Sequence, residues 1–509
     1  MRIILAGYNV DSTVIEELKA QAPPRDDVTP ETLAASYARI SRDPRSVDKL
    51  RAVARAEVGK ARRSNRTIIF KMGHHSVAEH AVFNFDVIGI SRLAIEEIEK
   101  FRLCSYTEKS QRYIKLEDDH IIPDEITQAG MSGEFGALIR AQIALYHVLY
   151  ERLQPYFFDK HPEMASHPKK HSILNGWAME DARYVLSLAT LGQLGMTLNA
   201  RNLEHMIRRL ASHPLAEVQE FNRRIYQLAK DVAPSILLFT EANEYDARTY
   251  LELRARADEI LAPDANTRAE SAKFVKNVPH VSVESERVML VGYTPDADER
   301  LIAALLHSTS RETYEACLAG ARSLPPEGKK ELVKTALGRA EFYDSVLREF
   351  EHVDLTFELK VSSTCFAQLK RHRMATLTAQ LYDPGLGVVV PPSIEAAGAL
   401  PEFMEIMERT EEFHAGLTNR VDRGMEYALT NAHCKRVLWK TNAREFYHFS
   451  RLREDTTAQW DIRRAATEMT RQAVEVMPLT MLLIGGKDAF PAAYGSIFGK
   501  APKVIPPPS

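Results

Sequence analysis

Residues 5–11, Leu5-Ala6-Gly7-Tyr8-Asn9-Val10-Asp11, return at residues 290–296 as Leu290-Val291-Gly292-Tyr293-Thr294-Pro295-Asp296. In both places the motif follows an apolar, strand-like run and precedes an acidic helix start. Self-similarity of this kind indicates a duplicated domain. The two stretches therefore predict that the chain is built from two similar domains.

Three further matches occur in the same order along the chain. The first pairs 33–36, followed by Ser41-Arg42, with 301–304, followed by Ser310-Arg311. The second pairs 79–85 with 351–357, and the third pairs 199–201 with 442–444. The distance between partners shrinks from 285 residues (Leu5 to Leu290) to 272 (Glu79 to Glu351) and 243 (Asn199 to Asn442). This trend is expected of diverged copies whose loops have changed length.

The matches divide the chain into copy one, residues 1–265, and copy two, residues 286–495. A linker rich in Pro, Asn, Ser and Lys is expected over 266–285, and a Pro-rich tail over 496–509. Apolar and polar residues alternate over 81–90 and 353–361, which predicts a strand in each copy. The apolar period over 180–210 and 426–453 predicts buried helices. Each copy is therefore predicted to be α+β, with the sheet early and the helices late.

The composition excludes several classes of protein. With 509 residues, 45% apolar and 27% charged, the chain resembles an ordinary globular protein of two to four domains. A net charge of −3 provides no global positive field for nucleic acid. No secretory signal and no apolar run of about 18 residues is present, so the chain is expected to be cytoplasmic, without a membrane partner. The scattered cysteines suggest neither a zinc site nor disulfides, and the motifs of P-loop, Rossmann and α/β-hydrolase proteins are missing.

The first polar cluster is the stretch 73–80, GHHSVAEH. Its histidines and carboxylate suggest a metal at first sight. Metal ligands on one face of a helix are three or four residues apart, whereas His75 and His80 are five apart and Ser76 stands three before Glu79. No metal site is predicted here.

The second cluster is Arg371-His372-Arg373, preceded by Gln368. Guanidinium groups make bidentate, charge-assisted bonds to phosphate, so this tripeptide suits a pyrophosphate or an electron-rich ring. A solvated surface is the alternative. Its position one strand after Glu351 favours the functional interpretation.

Two more clusters have equally open interpretations. Near the end of 105–113, Ser110 and Arg112 could share an anion while Glu108 accepts a hydrogen bond from a neutral base; a Ser/Thr-rich loop is the alternative. Later in the chain, four polar side chains could enter one common cleft: Asn442, Arg444, His448 and Arg453. The alternative is a capped helix at the protein surface. Glu180 and Arg183 form an E-x-x-R pattern, which usually marks an ion pair within a helix.

Taken in this order, the clusters resemble the flavin-dependent thymidylate synthases. That family's signature is R-H-R, seven residues and S-x-R, preceded by G-H-x-[ST]-x-x-E-H and followed by N-A-R, L-R and A-Q-W-[ED]. Copy one keeps the early motif at 73–80 and the S-x-R half at Ser110 and Arg112, but has Lys-Phe-Arg at 100–102. Copy two keeps R-H-R at 371–373, N-A-R at 442–444, Leu-Arg at 452–453 and A-Q-W-D at 458–461, but has Leu-Tyr-Asp at 381–383.

The resemblance implies two tandem family domains, each a mostly antiparallel sheet flanked by helices with a helical C-terminal part. It implies reductive methylation of dUMP to dTMP with FAD, NADPH and methylenetetrahydrofolate, without a side-chain nucleophile. The implied substrate-binding residues are Glu108, Ser110, Arg112, Arg183, Gln368 and Arg453. The implied cofactor-binding residues are His74, Ser76, Glu79, Arg371, His372, Arg373, Asn442, Arg444 and His448. Arg183 matches the arginine that holds the nucleotide phosphate in the family, and copy two has no clear equivalent near Leu429.

Family members place their sites between the subunits of a homotetramer, so a homodimer of this chain would form a pseudo-tetramer. Each copy lacks motif residues that the other copy keeps. This suggests a hypothesis in which composite sites draw on both copies and one of the two kinds of site has lost its function. Two alternatives remain. One is a related flavoenzyme acting on another pyrimidine nucleotide, and the other is a non-catalytic homologue that binds flavin or nucleotide.

Overall fold

The computed structural model describes residues 1–20, 27–39, 43–71, 75–112, 117, 119–261, 287–418 and 420–505. The predicted linker at 266–285 and the end of the predicted tail, 506–509, lie outside these residues. The described chain is α+β, as predicted. It contains two antiparallel sheets of four strands, each flanked by helices.

The two sheets share one topology. The first has the order β1-β2-β4-β3 and the second the order β5-β6-β8-β7, with every neighbouring pair antiparallel. The strands of the first sheet are β1 Arg2–Tyr8, β2 Val82–Ser91, β3 Ser105–Glu108 and β4 Leu191–Asn199. Those of the second are β5 Val288–Tyr293, β6 Asp354–Ser362, β7 Thr376–Ala379 and β8 Cys434–Asn442. The strands predicted at 81–90 and 353–361 are confirmed by β2 and β6.

The helices predicted over 180–210 and 426–453 are wrong in part, because each range contains a central strand, β4 or β8. Only Ala200–Leu210 and Ala443–Arg453 at their ends form long helices. Along β8 buried and exposed residues alternate, so the period there is two. Short apolar runs do not distinguish strand from helix by periodicity alone. The sheet is therefore completed late in each copy.

Strand register makes the two copies comparable residue by residue. Ser105 pairs with Thr197 in the first sheet, and Thr376 pairs with Lys440 in the second. The backbone bond that follows is repeated too, since Lys109 N–H donates to the carbonyl of Gln193 and Gln380 N–H to that of Arg436, both at 2.9 Å. The ten residues of β2 correspond to nine of β6, and the extra one lies at the bulge around Gly89, whose φ of 70° favours glycine.

The helices lie between and after the strands. In the first part of the chain they are Ser12–Lys19, Glu31–Arg39, Val47–Ala56, Val58–Asn65, Arg92–Ile98, Asp124–Gln128, Ser132–Lys160, Pro162–Ala165, His171–Ala182, Ala200–Leu210, Ala216–Lys230 and Glu244–Ile260. In the second part they are Ala297–Thr309, Tyr314–Ser323, Pro326–Leu337, Ser363–Leu369, Pro392–Ala396, Leu400–Leu417, Ala443–Arg453, Trp460–Val476 and Phe490–Phe498. Short 3-10 helices include His75–His80, Arg183–Val185 and Met425–Ala428. In the part of the chain described, no helix combines the length and apolarity needed to cross a membrane.

The described residues form two compact units, and each unit contains a segment from the other copy. Unit one consists of 1–144, 186–261 and 409–429, and unit two of 145–185, 287–408 and 430–505. We call 145–185 and 409–429 the exchanged segments. The core of unit two centres on Trp439 of β8, whose ring lies 5.0 Å from Phe449 and 6.4 Å from Phe357. This aromatic cluster fixes the helix Ala443–Arg453 against the sheet.

Candidate functional site

The tripeptide Arg371-His372-Arg373 directly follows a short helix that begins at the end of β6. Ser362 is the N-cap of that helix, and its Oγ accepts a hydrogen bond from Cys365 N–H at 3.0 Å. The helix ends at Leu369, which places the tripeptide between the helix and β7. Of the three side chains, His372 is buried, Arg371 is partly buried and Arg373 is exposed.

The guanidinium of Arg453 holds His372 and Gln368 together. Its Nε donates to Nε2 of His372 at 2.9 Å, its Nη1 to Oε1 of Gln368 at 2.8 Å and its Nη2 to the Gln368 carbonyl at 3.1 Å. Burial, and then the charge of Arg453, lower the pKa of His372 well below its ordinary value. Because Nε2 is the acceptor, the proton of the neutral ring is assigned to Nδ1, which lies 3.4 Å from Oε1 of Glu445.

The rings of His448 and Phe449 complete the surroundings of His372. Their centroids lie 5.8 Å and 4.9 Å from that of His372. Both residues belong to the helix Ala443–Arg453, which also supplies Arg453. One helix therefore fixes both the orientation of the imidazole and its charged neighbour.

Asn442 and Arg444 have a different role at the start of the same helix. The side chain of Asn442 caps the helix by accepting from Glu445 N–H at 2.9 Å. Arg444 Nη1 lies 3.0 Å from Oε1 of Glu351, and its Nε donates to the carbonyl of Val346. Of the four side chains predicted to share one cleft, Arg453 and His448 thus surround His372, whereas Asn442 and Arg444 hold the helix start.

The exchanged segment 145–185 brings Arg183 into unit two. The next residue, Tyr184, donates from its hydroxyl to Oδ2 of Asp461 at 3.2 Å and accepts from Nε2 of Gln459 at 2.9 Å. Nearby, Trp460 Nε1 donates to Oδ1 of Asp181 at 2.7 Å. The A-Q-W-D motif of copy two therefore holds the segment of copy one that carries Arg183, a side chain only 7% exposed.

Asp461 connects this segment to the helix that precedes the R-H-R tripeptide. Its Oδ2 also accepts from Oγ of Ser362 at 2.6 Å, and its Oδ1 lies 2.7 Å from Nη2 of Arg287. All these side chains are at least nine-tenths buried. A continuous set of buried polar contacts thus runs from Tyr184, next to Arg183, through Asp461 to Ser362, the cap of the helix before His372.

Unit one repeats this arrangement with the copies interchanged. Ser91 donates to Glu217 from both its hydroxyl, at 2.5 Å, and its backbone N–H, at 2.8 Å. The hydroxyl of Tyr427, in the exchanged segment 409–429, donates to Oε2 of Glu217 at 2.9 Å. Tyr427 therefore occupies the place of Tyr184, and the residue before it is Glu426. The position equivalent to Arg183, which the sequence left unassigned in copy two, carries an acidic side chain.

Two separate segments of this chain match one family model. The model, Thy1, described as thymidylate synthase complementing protein, matches residues 26–235 and 289–479, which is most of the chain. The chain belongs to the Thy1 family. The first matched segment contains β2, β3 and β4 of the first sheet, and the second contains nearly all of the second sheet. The predicted family resemblance and tandem arrangement are therefore confirmed for this Thy1 chain.

Relatives of the Thy1 chain fall into two groups by coverage. A UPF0159 protein from Thermoplasma acidophilum is 24% identical over 483 residues, which is 88% of this chain and 92% of the relative. A flavin-dependent thymidylate synthase from Clostridium tetani is 28% identical over 216 residues, which is 42% of this chain and 82% of the relative. The crystal structure of a flavin-dependent thymidylate synthase from Helicobacter pylori, complexed with FAD and dUMP, shares 17% identity and a TM-score of 0.30, covering 47% of this chain and 98% of that one.

The Thy1 residues Glu108, Ser110 and Arg112 lie in unit one at the end of β3. Arg92 Nη1 lies 2.9 Å from Oε1 of Glu108, and both side chains are largely buried. Ser110 Oγ accepts from the backbone N–H of Arg112 at 3.1 Å. A crevice of about 10 Å³, room for no more than one water molecule, adjoins Glu108 and Gln111. Glu108 thus already has a cationic partner.

The early Thy1 motif is described only from His75 onward, so the predicted residue His74 lies outside the described residues. Ser76 and Glu79 are exposed on the 3-10 helix His75–His80. Glu79 Oε1 lies 2.5 Å from Nη1 of Arg201, which repeats the contact of Glu351 with Arg444. In both copies the arginine of N-A-R is paired with the glutamate of E-H.

Another depression does not coincide with the predicted site residues. It has a volume of about 670 Å³ and is lined by Asp27, residues 55–60 and Arg63. Its cationic side chains include Lys60, which lies 2.9 Å from Glu57. Among the residues that the structure describes, no group of three or more His, Cys, Asp or Glu side chains is placed to hold a metal ion.

Sequence reasoning missed the buried residues that hold Arg183 in place, above all Asp181, Tyr184, Ser362 and Arg287. One signal was available, since Tyr184 precedes N-A-R by the same distance as Tyr427 in the other copy. A tyrosine present in both copies, next to a residue that is Arg in one and Glu in the other, indicates a structural contact.

Proposed function

We propose that the chain is a flavin-dependent thymidylate synthase, which methylates dUMP to dTMP with FAD, NADPH and methylenetetrahydrofolate. The observation that carries the proposal is the composite arrangement in unit two. There, Arg183 of copy one is held by the A-Q-W-D motif of copy two, and the same contacts continue to the helix before His372. Membership of the Thy1 family and the Clostridium tetani relative support the same activity.

The nucleotide would be bound by polar side chains from both copies. Arg183 and Arg453 would neutralise its phosphate, because guanidinium groups make strong charge-assisted bonds to phosphate oxygens. Gln368, held by Arg453, would orient the base through its amide. The other proposed substrate-binding residues, Glu108, Ser110 and Arg112, lie in unit one.

The donor set in unit two fits a flavin, since Arg371 and Arg373 flank a buried, neutral imidazole at His372. Bound FAD would supply the hydride chemistry that completes the methyl group. The two guanidinium groups would stabilise negative charge on the ring system, and His372 would keep Arg453 in position. The other proposed flavin-binding residues are His74, Ser76, Glu79, Asn442, Arg444 and His448, of which Asn442 and Arg444 would position the helix rather than contact the ring.

The test is tritium release to water from dUMP labelled at C5, with FAD, NADPH and methylenetetrahydrofolate supplied. Release that requires the folate is expected, because the hydrogen at C5 must leave before a methyl group replaces it. Flavin-loaded protein that releases no tritium from dUMP but methylates UMP would instead identify another pyrimidine nucleotide as substrate. Protein that folds but binds neither flavin nor dUMP would refute an enzymatic role.

The proposed assembly is a homodimer that acts as a pseudo-tetramer. Light scattering during size-exclusion chromatography should give twice the chain mass of 57.5 kDa. A mass equal to one chain would contradict this part of the proposal.

A further inference from the structure

Asn431, which lies between the exchanged segment 409–429 and β8, holds the main chain of Arg183. Its Nδ2 donates to the carbonyl of Arg183 at 3.0 Å. The next backbone N–H, that of Ala432, donates to the carbonyl of Tyr184 at 3.0 Å. The side chains of Asn431, Arg183 and Tyr184 are all at least nine-tenths buried. Two neighbouring residues of copy two therefore hold two neighbouring carbonyls of copy one.

The same asparagine is also joined to the helix Ser363–Leu369, which precedes the R-H-R tripeptide. The carbonyl of Asn431 accepts from the backbone N–H of Thr364 at 3.2 Å. Its side-chain Oδ1 lies 3.5 Å from Oγ of Ser363. All these residues belong to unit two. One residue therefore links the main chain of Arg183 to the helix that leads to the tripeptide.

The side chain of Arg183 has little room to compensate for a shift of its main chain. It is only 7% exposed, and its Nε donates to the carbonyl of Glu180 at 3.3 Å. Charge-assisted bonds from a guanidinium to phosphate are directional, and a small displacement of a binding group weakens them. The position of the Arg183 carbonyl therefore determines where the guanidinium can meet a phosphate.

Unit one has a different residue in the place of this asparagine. The carbonyl of Leu188 accepts from the backbone N–H of Leu93 at 3.0 Å, which is the bond that the carbonyl of Asn431 makes in unit two. Leu188 therefore occupies the place of Asn431, and its side chain has no hydrogen-bond donor. The place of Arg183 is occupied in unit one by Glu426. The amide and the arginine thus occur together in unit two, and unit one has neither at the equivalent positions.

We infer that Asn431 is a positioning residue for the nucleotide phosphate, which it serves by fixing the main chain of Arg183. The inference rests on the proposed function, in which Arg183 binds the phosphate of dUMP. It assigns to copy two a residue that acts through an arginine of copy one.

Asn431→Leu, which introduces the residue that unit one has at this place, is tested by calorimetric titration of FAD-loaded protein with dUMP. The Kd should rise roughly three- to tenfold, as expected for the loss of one hydrogen bond. The matched control is Asn222→Leu, because Asn222 is also buried and its Nδ2 donates to the carbonyl of Ile207 at 3.0 Å, but in unit one. The control should lower the thermal midpoint and leave the Kd unchanged. An unchanged Kd in Asn431→Leu, or equal rises in both variants, would overturn the inference.

The double variant Arg183→Ala/Asn431→Leu separates positioning from a general loss of stability. If Asn431 acts through Arg183, the Kd of the double variant should equal that of Arg183→Ala, because residues in contact are not additive. A further rise of the size seen in Asn431→Leu alone would overturn the inference. If Asn431→Leu does not fold, Asn431→Ser, which keeps a polar group on a shorter side chain, is compared in the same way with the same expectation.

The titrations also distinguish failure of the inference from failure of the proposed function. Wild-type protein that binds no dUMP would refute the proposed function and the inference with it. Wild-type protein that binds dUMP, together with an Asn431→Leu variant of equal affinity, would refute the inference alone.

Discussion

The hydroxyl of Tyr184 donates to the carboxylate of Asp461 at 3.2 Å, across 277 residues of sequence, and Tyr427 makes the same contact with Glu217 at 2.9 Å. In each case the tyrosine comes from one copy and the carboxylate from the other. Two equivalent contacts therefore make each unit dependent on both copies. The residue before the tyrosine, Arg183 or Glu426, gives the two units opposite charge at the same position.

Tyr184→Phe and Tyr427→Phe should each destabilise the protein. Each substitution removes one hydrogen bond to a buried carboxylate, which contributes about 1–3 kcal/mol, and Tyr184→Phe also removes the bond that Gln459 donates to the hydroxyl. A loss of about 1 kcal/mol lowers the thermal midpoint of a domain of this size by roughly 2–4 °C. Scanning calorimetry measures the shift, with Tyr245→Phe as the control because that side chain is 71% exposed. Midpoints equal to the control would show that the contacts contribute nothing.

Arg183→Ala should weaken dUMP binding, whereas Glu426→Ala should not. The lost charge-assisted bonds correspond to about 1.5–3 kcal/mol, roughly a ten- to hundredfold rise in Kd. The two variants are matched, because both positions precede the tyrosine that holds their segment. Calorimetric titration measures both. A comparable loss in Glu426→Ala would mean that both positions contribute to nucleotide binding.

Asp181 should make stability fall as pH rises towards neutrality. Burial, and then the neighbouring charge of Glu180, raise its pKa to about 7, against the partial compensation of Ser393 and Trp460. Since the folded state holds this proton more tightly than the unfolded state, its contribution is complete below about pH 4 and is lost as pH rises through about 7. Asp181→Asn should flatten the thermal midpoint between pH 4 and 7. An unchanged pH profile would contradict a protonated Asp181.

His372 should produce the opposite dependence on pH. Burial and Arg453 lower its pKa in the folded state, so the unfolded state binds the proton more readily. Stability from this residue is complete above the unfolded pKa of about 6.5 and falls as pH falls below it. His372→Gln should reduce the drop in thermal midpoint between pH 7.5 and 5. His307→Gln is the control, because that imidazole lies elsewhere in the unit, against Tyr314.

Chains cut at the linker should fold only together. Residues 1–265 alone would leave Glu217 without Tyr427, and residues 286–509 alone would leave Asp461 without Tyr184. Each buried carboxylate would lose one of its hydrogen-bond donors, which is costly, and each half would also lack an exchanged segment. Co-expressed halves with separate affinity tags should purify as a complex, whereas each half alone should aggregate. Soluble, monomeric halves with cooperative thermal unfolding would contradict this dependence.

The amino-acid sequence alone determined the duplication, the strands β1, β2, β5 and β6, and the order of the motifs. These features are local, because alternating residues mark β2 and β6, and Asn199 and Asn442 each cap the helix that begins beside them. The central strands β4 and β8 were missed, because a short apolar run next to a helix has no unambiguous period.

Only the tertiary structure decided which copy supplies each part of a unit. Tyr184 meets Asp461 and Asn431 meets Arg183 because strand order and the exchanged segments bring distant parts of the chain together. Such contacts leave no periodic trace in the sequence. Burial then gives these contacts their effect, since the same side chains in water would interact only weakly.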